Sequence, residues 1–185
     1  MMVALGLFGT LIGIARWTWA GFKLLLVLSP IWVTAALIAK ASSNNASADT
    51  VAVIRAVDGD TIIATVNRTD ERIRVLGINS PESVKPNAPV ECFGPQASKN
   101  AKRWVRTHPR VVLRTDRAAP DRDRYGRLLR YVEPTGGGRD LSTVQVAGGY
   151  ARVAAYDQQL TRLDGLNAAQ RTARRHDRGL WGRCD

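Results

Sequence analysis

Two apolar runs open the chain, Met1 to Ala15 and Leu24 to Ala39, and between them lies Arg16-Trp17-Thr18-Trp19-Ala20-Gly21-Phe22-Lys23. Each run is short of the roughly 20 residues that a helix needs to cross a bilayer. The aromatic and cationic residues between them are of the kind found in a membrane interface. Three arrangements are compatible with this pattern. The chain could cross once, with Lys23 inside and everything after Lys40 outside. It could be a long signal peptide cleaved after Ala46-Ser47-Ala48, or a tight hairpin whose Arg16–Lys23 turn faces the cytoplasm. All three put the remainder of the chain outside the cytoplasm. Ala41 to Ala48 is small and polar, without a large aliphatic or aromatic side chain, and reads as a flexible linker. The expected organisation is therefore a transmembrane anchor or signal segment at 1–40, a linker at 41–49 and a folded domain at 50–185.

Beyond the linker the hydrophobic pattern shortens. Val51 to Val57 is β-branched and partly alternating, which predicts a strand. Asp58-Gly59 predicts a tight hairpin turn into a second strand, Thr61 to Val66. A third strand, Arg72 to Leu76, follows a connection at Asn67 to Asp70. Pro95 sits well at the start of a helix, where its missing N–H costs nothing. Ala97, Ala101, Trp104 and Val105 then form one apolar stripe at helical spacing, and Pro109 ends the element. Val111 to Leu113 and Leu128 to Val132 read as two more strands, separated by a polar loop from Asp116 to Gly126. Gly136-Gly137-Gly138 is a turn. Ser142 is placed to cap a short helix ending at Gly148-Gly149. A last helix is expected from Gln158 to His176, with Leu160, Leu163 and Leu166 inward, before Gly179 releases the chain into Leu180-Trp181. Five strands and about three helices, strands first, describe an α+β domain on a small barrel.

Charge adds a partner to this picture. Lys and Arg total 27 against 16 Asp and Glu, and residues 1–48 hold only Arg16, Lys23 and Lys40 and no acid. The folded part is therefore strongly basic. Apart from Lys85, Lys99 and Lys102, its cations are all arginine, whose planar fork grips phosphate oxygens in pairs. That composition suits a polyanionic partner, although a basic surface can also serve solubility alone. Cys92 and Cys184 are the two cysteines. In a protein with an export segment they suggest one disulfide, which would stabilise the fold by about 4 kcal/mol in the chain-entropy model; the alternative is two free thiols. With His108 and His176 scattered, they lack the spacing of a zinc site.

Three clusters can carry chemistry on phosphate. Asp58-Gly59-Asp60-Thr61 offers carboxylate oxygen for a hard cation. Arg74-Val75-Leu76-Gly77-Ile78-Asn79-Ser80-Pro81-Glu82 carries an arginine out on a strand and returns Asn79 and Glu82 near it, with Glu82 a candidate base. Asp121-Arg122-Asp123-Arg124-Tyr125-Gly126-Arg127 is a polar loop leading to an arginine on a strand. Each has a plainer reading, namely a turn, a solvated glutamate and a loop of ion pairs worth little. In order and near-spacing, however, these motifs and Glu91-Cys92-Phe93-Gly94-Pro95-Gln96-Ala97-Ser98 resemble the thermonuclease (staphylococcal nuclease) family. Gly179-Leu180-Trp181 resembles that family's closing motif. The resemblance covers about 130 residues, essentially everything after the linker.

What it implies is a five-stranded OB-fold barrel with about three packed helices, and a Ca²⁺-dependent endonuclease acting as a monomer on DNA and RNA, leaving 3′-phosphate and 5′-hydroxyl ends. On the matching positions, Asp60 would ligate calcium by its carboxylate and Ser80 by its backbone carbonyl. Glu82 would act as general base, and Arg74 and Arg127 would hold the phosphate and neutralise its growing charge. Tyr125 would stack on or hydrogen-bond the nucleotide. Asn79 stands where the family usually has a second metal-binding Asp. Its amide oxygen can still coordinate Ca²⁺ but removes one negative charge, so weaker calcium binding is expected. The competing expectation is a non-catalytic nucleic-acid-binding module on the same barrel. The retention of Asp60, Arg74, Glu82 and Arg127 favours the enzyme.

Overall fold

The computed structural model describes residues 50–83, 89–155 and 159–184. The membrane or signal segment and the linker expected from the sequence lie outside them. Among the described residues no helix is long and apolar enough to cross a membrane.

Five strands, β1 (Thr50–Ala56), β2 (Thr61–Val66), β3 (Thr69–Val75), β5 (Arg110–Arg114) and β6 (Leu128–Pro134), close into a barrel in the order β1-β2-β3-β6-β5. β1, β2 and β3 form a meander of antiparallel pairs. β5 and β6 form a second antiparallel pair. The barrel is sealed by antiparallel β1–β5 and by parallel β3–β6, in which Arg74 lies opposite Leu129. Ile62, Ala64, Ile73, Val75, Val111 and Val132 fill the interior, and none is more than 1% exposed. A separate two-stranded ladder joins β4 (Ile78–Asn79) to β7 (Arg152–Val153), with Asn79 opposite Arg152.

The meander departs from its expected turns. Asp58-Gly59 is not a two-residue hairpin: residues 57–60 form a longer connection in which the N–H groups of Val57 and Asp58 both donate to the Thr61 carbonyl. The tight turn lies instead at Asn67-Arg68, both with positive φ, so β3 begins at Thr69 rather than Arg72. Helix α1 (Gly94–Thr107) buries the stripe Ala97, Ala101, Trp104 and Val105 as its spacing requires. Helix α2 (Leu141–Ala147) is capped not by Ser142 but by Asp140, whose carboxylate accepts the Thr143 N–H at 2.6 Å. Ser142 is fully buried and donates to the Leu76 carbonyl. Helix α3 spans Leu163–Arg175, five residues later than the expected start, which is itself outside the described residues. Leu160 is buried ahead of it, where Thr161 gives both its N–H and its hydroxyl to Asp116 at 2.8 Å. Gly179–Trp181 form a single 3₁₀ turn with Leu180 buried.

Candidate active site

One cleft of about 630 Å³ opens on the end of the barrel where β2, β3 and β6 meet their loops, lined among others by Asp58, Asp60, Arg74, Asn79, Ser80, Glu82, Tyr125 and Arg127. Every catalytic, metal-binding or substrate-binding residue expected from the sequence thus borders one space. Of the expected site residues only the cysteines lie outside its lining.

The acidic floor is built by close backbone approach. A Cβ on Gly59 would lie 2.5 Å from the Ser80 Cβ, so only glycine lets the 57–60 connection reach the loop after β4. The buried Gln145 of α2 holds it there, donating to the Gly59 carbonyl at 2.6 Å while accepting from Asn100 of α1. Across this contact, Asp60 accepts the Ser80 N–H at 2.7 Å and the Ser80 hydroxyl at 3.0 Å on Oδ2, and the Thr61 hydroxyl on Oδ1. Arg74, 7% exposed, forms an ion pair with Asp60 Oδ1 and donates from Nη2 to the Asn79 amide oxygen at 3.0 Å. Its position follows from the register, since Arg74 pairs with Thr61, the neighbour of Asp60.

Asp58 lines the same floor and was not among the residues expected to act. Its Oδ1 accepts the Asp60 N–H at 3.0 Å. Burial pushes its carboxyl up to about 6, and the Asp60 charge adds in the same direction, against the pull of the Asp60 N–H, Thr61 and Arg74. The i, i+2 spacing of two acids around the glycine was the available signal. The donor set is oxygen throughout, from the carboxylates of Asp58 and Asp60, the amide of Asn79 and the loop ending in Glu82. That chemistry fits a hard divalent cation. Among the described residues no three acidic, His or Cys side chains converge into a metal cluster. A bound ion would therefore complete its shell from Asn79, backbone carbonyl and water.

The opposite wall comes from the loop before β6. Asp123 accepts the N–H groups of Tyr125 and Arg127 on Oδ1, and the Arg127 guanidinium docks on Oδ2 at 2.7 Å. Burial tends to raise the Asp123 carboxyl, but the Arg127 guanidinium and these N–H groups outweigh it and hold it below its ordinary value. The polar loop leading to Arg127 is therefore an ordered turn that aims it, rather than a loop of ion pairs worth little. Tyr125 is 67% exposed, with the guanidinium of Arg124 4.8 Å and that of Arg127 5.4 Å from its ring centre.

Glu82 sits at the rim. Its N–H donates to the Glu91 carboxylate at 3.0 Å and its carbonyl accepts the Glu91 N–H at 2.9 Å. Its own carboxylate accepts the Ser83 N–H at 2.8 Å. Beyond the cleft, Cys92 and Cys184 are joined in a disulfide with a Cα–Cα separation of 5.9 Å.

A five-stranded barrel with a cleft of acids and arginines at one end places the chain among the OB-fold proteins. Within that class, the family model described as staphylococcal nuclease homologue matches residues 72–183. The chain is 37% identical over 145 residues to a thermonuclease of Staphylococcus intermedius, covering 78% of this chain and 83% of that protein. It is 35% identical over 142 residues to a thermonuclease of Staphylococcus hyicus, covering 76% and 80%. A third relative, the SPbeta prophage-derived endonuclease YokF of Bacillus subtilis (strain 168), is 35% identical over 134 residues, which is 72% of this chain and 44% of that protein. The chain belongs to the staphylococcal nuclease family.

Proposed function

We propose that this protein is a Ca²⁺-dependent endonuclease that hydrolyses phosphodiester bonds of DNA and RNA outside the cytoplasm. The observation that carries this reading is the convergence of Asp60, Arg74, Glu82 and Arg127 on one cleft, in a chain whose relatives are named as nucleases. Asp60, Asn79 and the Ser80 carbonyl would hold the ion, with Asp58 beside them. When bound, the ion supplies positive charge to a non-bridging phosphate oxygen. Glu82 accepts a proton from the attacking water, directly or by orienting it. Arg74 and Arg127 hold the phosphate and offset the negative charge that grows on it as the bond to the 5′-oxygen breaks; the departing oxygen takes a proton from solvent, leaving a 3′-phosphate and a 5′-hydroxyl. Tyr125, open to solvent at the mouth, is available to the nucleotide on the leaving side. The acting form in this reading is a monomer. The apolar runs before Lys40 and the disulfide support an extracytoplasmic location, anchored or secreted.

The deciding assay compares cleavage of single-stranded and duplex substrate by the purified chain in Ca²⁺, in chelator, and with Glu82→Gln. Cleavage that persists in both of the latter conditions overturns the mechanism. Tight binding without cleavage under any condition would instead identify a non-catalytic binding module.

A further inference from the structure

Glu82 differs from the rest of the cleft in what holds it. Asp60 and Arg74 are less than a tenth exposed and are fixed from several directions. Both backbone groups of Glu82, by contrast, bond to one residue, Glu91, through its main chain and its carboxylate. Glu91 and Cys92 are exposed, and Val90 before them is 62% exposed, so no buried side chain anchors this stretch. Gly94 is buried against Glu82, since a Cβ there would lie 2.4 Å from the Glu82 carbonyl oxygen. Cys92 stands between these two contacts, and its disulfide partner is well anchored. The Cys184 N–H donates to the Leu180 carbonyl, and Leu180, 1% exposed, donates to the Gly149 carbonyl.

We propose that the Cys92–Cys184 bridge is a positioning element for Glu82, clamping the Glu91–Gly94 segment against the backbone of the general base, so that full catalytic rate requires the oxidised chain. The inference rests on the nuclease reading above. Without the bridge, the part of the segment that touches Glu82 keeps its hydrogen bonds, which are individually weak, and is tethered further only through the half-buried Phe93 ring, stacked on Tyr150 at 5.6 Å. Glu82 then samples positions away from the water it must deprotonate, while the buried floor and the arginines stay in place. The effect belongs on kcat and not on substrate affinity.

The test uses the full chain in four forms: wild type, Cys92→Ser/Cys184→Ser, Glu82→Gln, and all three substitutions together, assayed where circular dichroism shows each to be folded. Loss of the bridge is expected to lower kcat about tenfold with KM changed less than about twofold. In the Glu82→Gln background the same loss should have almost no further effect, because the bridge acts through that residue. Equal loss in both backgrounds, or none in the wild-type background, overturns the proposal. Gly94→Ala keeps the bridge but crowds the Glu82 carbonyl, and should reproduce the kcat loss. A dithiol that reduces the folded wild type, passing two electrons to the sulfurs to give two thiols and its own cyclic disulfide, covers the case in which the double variant fails to fold. Amide hydrogen exchange separates this idea from the nuclease reading. Reduction should speed exchange at Glu82 and Glu91 while leaving the Ser80 N–H, held by Asp60, unchanged. A protein that shows this exchange pattern but never cleaves nucleic acid would sink the nuclease reading alone, and unchanged exchange would sink the clamp alone.

Discussion

The arginines at the cleft and those at the C-terminal end of the molecule are used differently. Around the barrel end, Arg74 pairs with Asp60, Arg127 with Asp123, Arg122 with Glu71 and Arg130 with Asp121. On α3 and after it, Arg171, Arg174, Arg175, Arg178 and Arg183 have no carboxylate within ion-pair distance among the described residues. Arg174 and, from β7, Arg152 lie 4.9 and 4.7 Å from the ring centre of Trp181 instead. A carboxylate partner fixes a guanidinium's direction but cancels its distant field. An aromatic partner holds the stem and leaves the charge intact. On the proposed reading, the carboxylate-paired arginines of the cleft would meet one phosphate and the outer ones would attract a polyanion, with Arg124, on the Tyr125 ring at 4.8 Å, resembling the outer group although it lines the cleft.

Substitutions can break this contrast. The largest effect is expected for Glu82→Gln, a fall of about 10²–10⁴ in kcat from loss of the proton acceptor, read in steady-state cleavage. Arg127→Lys should cost about 10²–10³ in kcat/KM, because a point charge cannot repeat the guanidinium fork. Asn79→Asp adds charge to the floor, and the calcium concentration for half-maximal activity should fall several-fold; an unchanged calcium requirement would show that the Asn79 oxygen is not part of the ion's shell. Arg174→Gln should leave cleavage of a dinucleotide intact and lower the salt-dependence slope for a long substrate by about 1, since it removes one phosphate contact. If it reduced dinucleotide turnover as strongly as Arg127→Lys, the division between the two groups would collapse.

Acid distinguishes the regions as well. Asp123 and Asp116 both titrate below their ordinary value. In each, burial pushes upward but is outweighed: at Asp123 by Arg127 and N–H donors, and at Asp116 by the Ala118 and Thr161 N–H groups and the Thr161 and Tyr131 hydroxyls. The stability they contribute is complete above the unfolded carboxylate value of about 4 and is lost as pH falls through their lower folded values. The melting temperature should therefore drop more steeply below pH 4 in wild type than in Asp123→Asn.

Local pattern made much of this legible. The stripe of α1 and the β-branched runs of β1 and β2 face one interior, so their periodicity survived folding. What escaped was set by distant partners. Asp140 and Ser142 are both credible caps, and only the Leu76 carbonyl, 66 residues from Ser142, removes the second from the choice. Gln145 had no signal, because its value lies in the Gly59 carbonyl 86 residues earlier. The start of α3 was misjudged because Asp116 holds Thr161 outside the helix. Asp123 is visible four residues before Arg127, but its hold on the Tyr125 and Arg127 N–H groups depends on the backbone conformation of the turn.

The parallel pairing of β3 with β6 has a consequence for the order of events in folding. The meander from Thr50 to Val75 pairs through local turns, so Asp58, Asp60 and Arg74 are expected to come together early. Arg127 joins them only when Leu128–Arg130 aligns with Ile73–Val75, across more than fifty residues of chain. Such non-local closure is the slow part of forming a barrel. A nascent or partly unwound chain is thus expected to carry an acidic pocket but not the second arginine, and to be harmless to nucleic acid until the strands have met around the whole circumference.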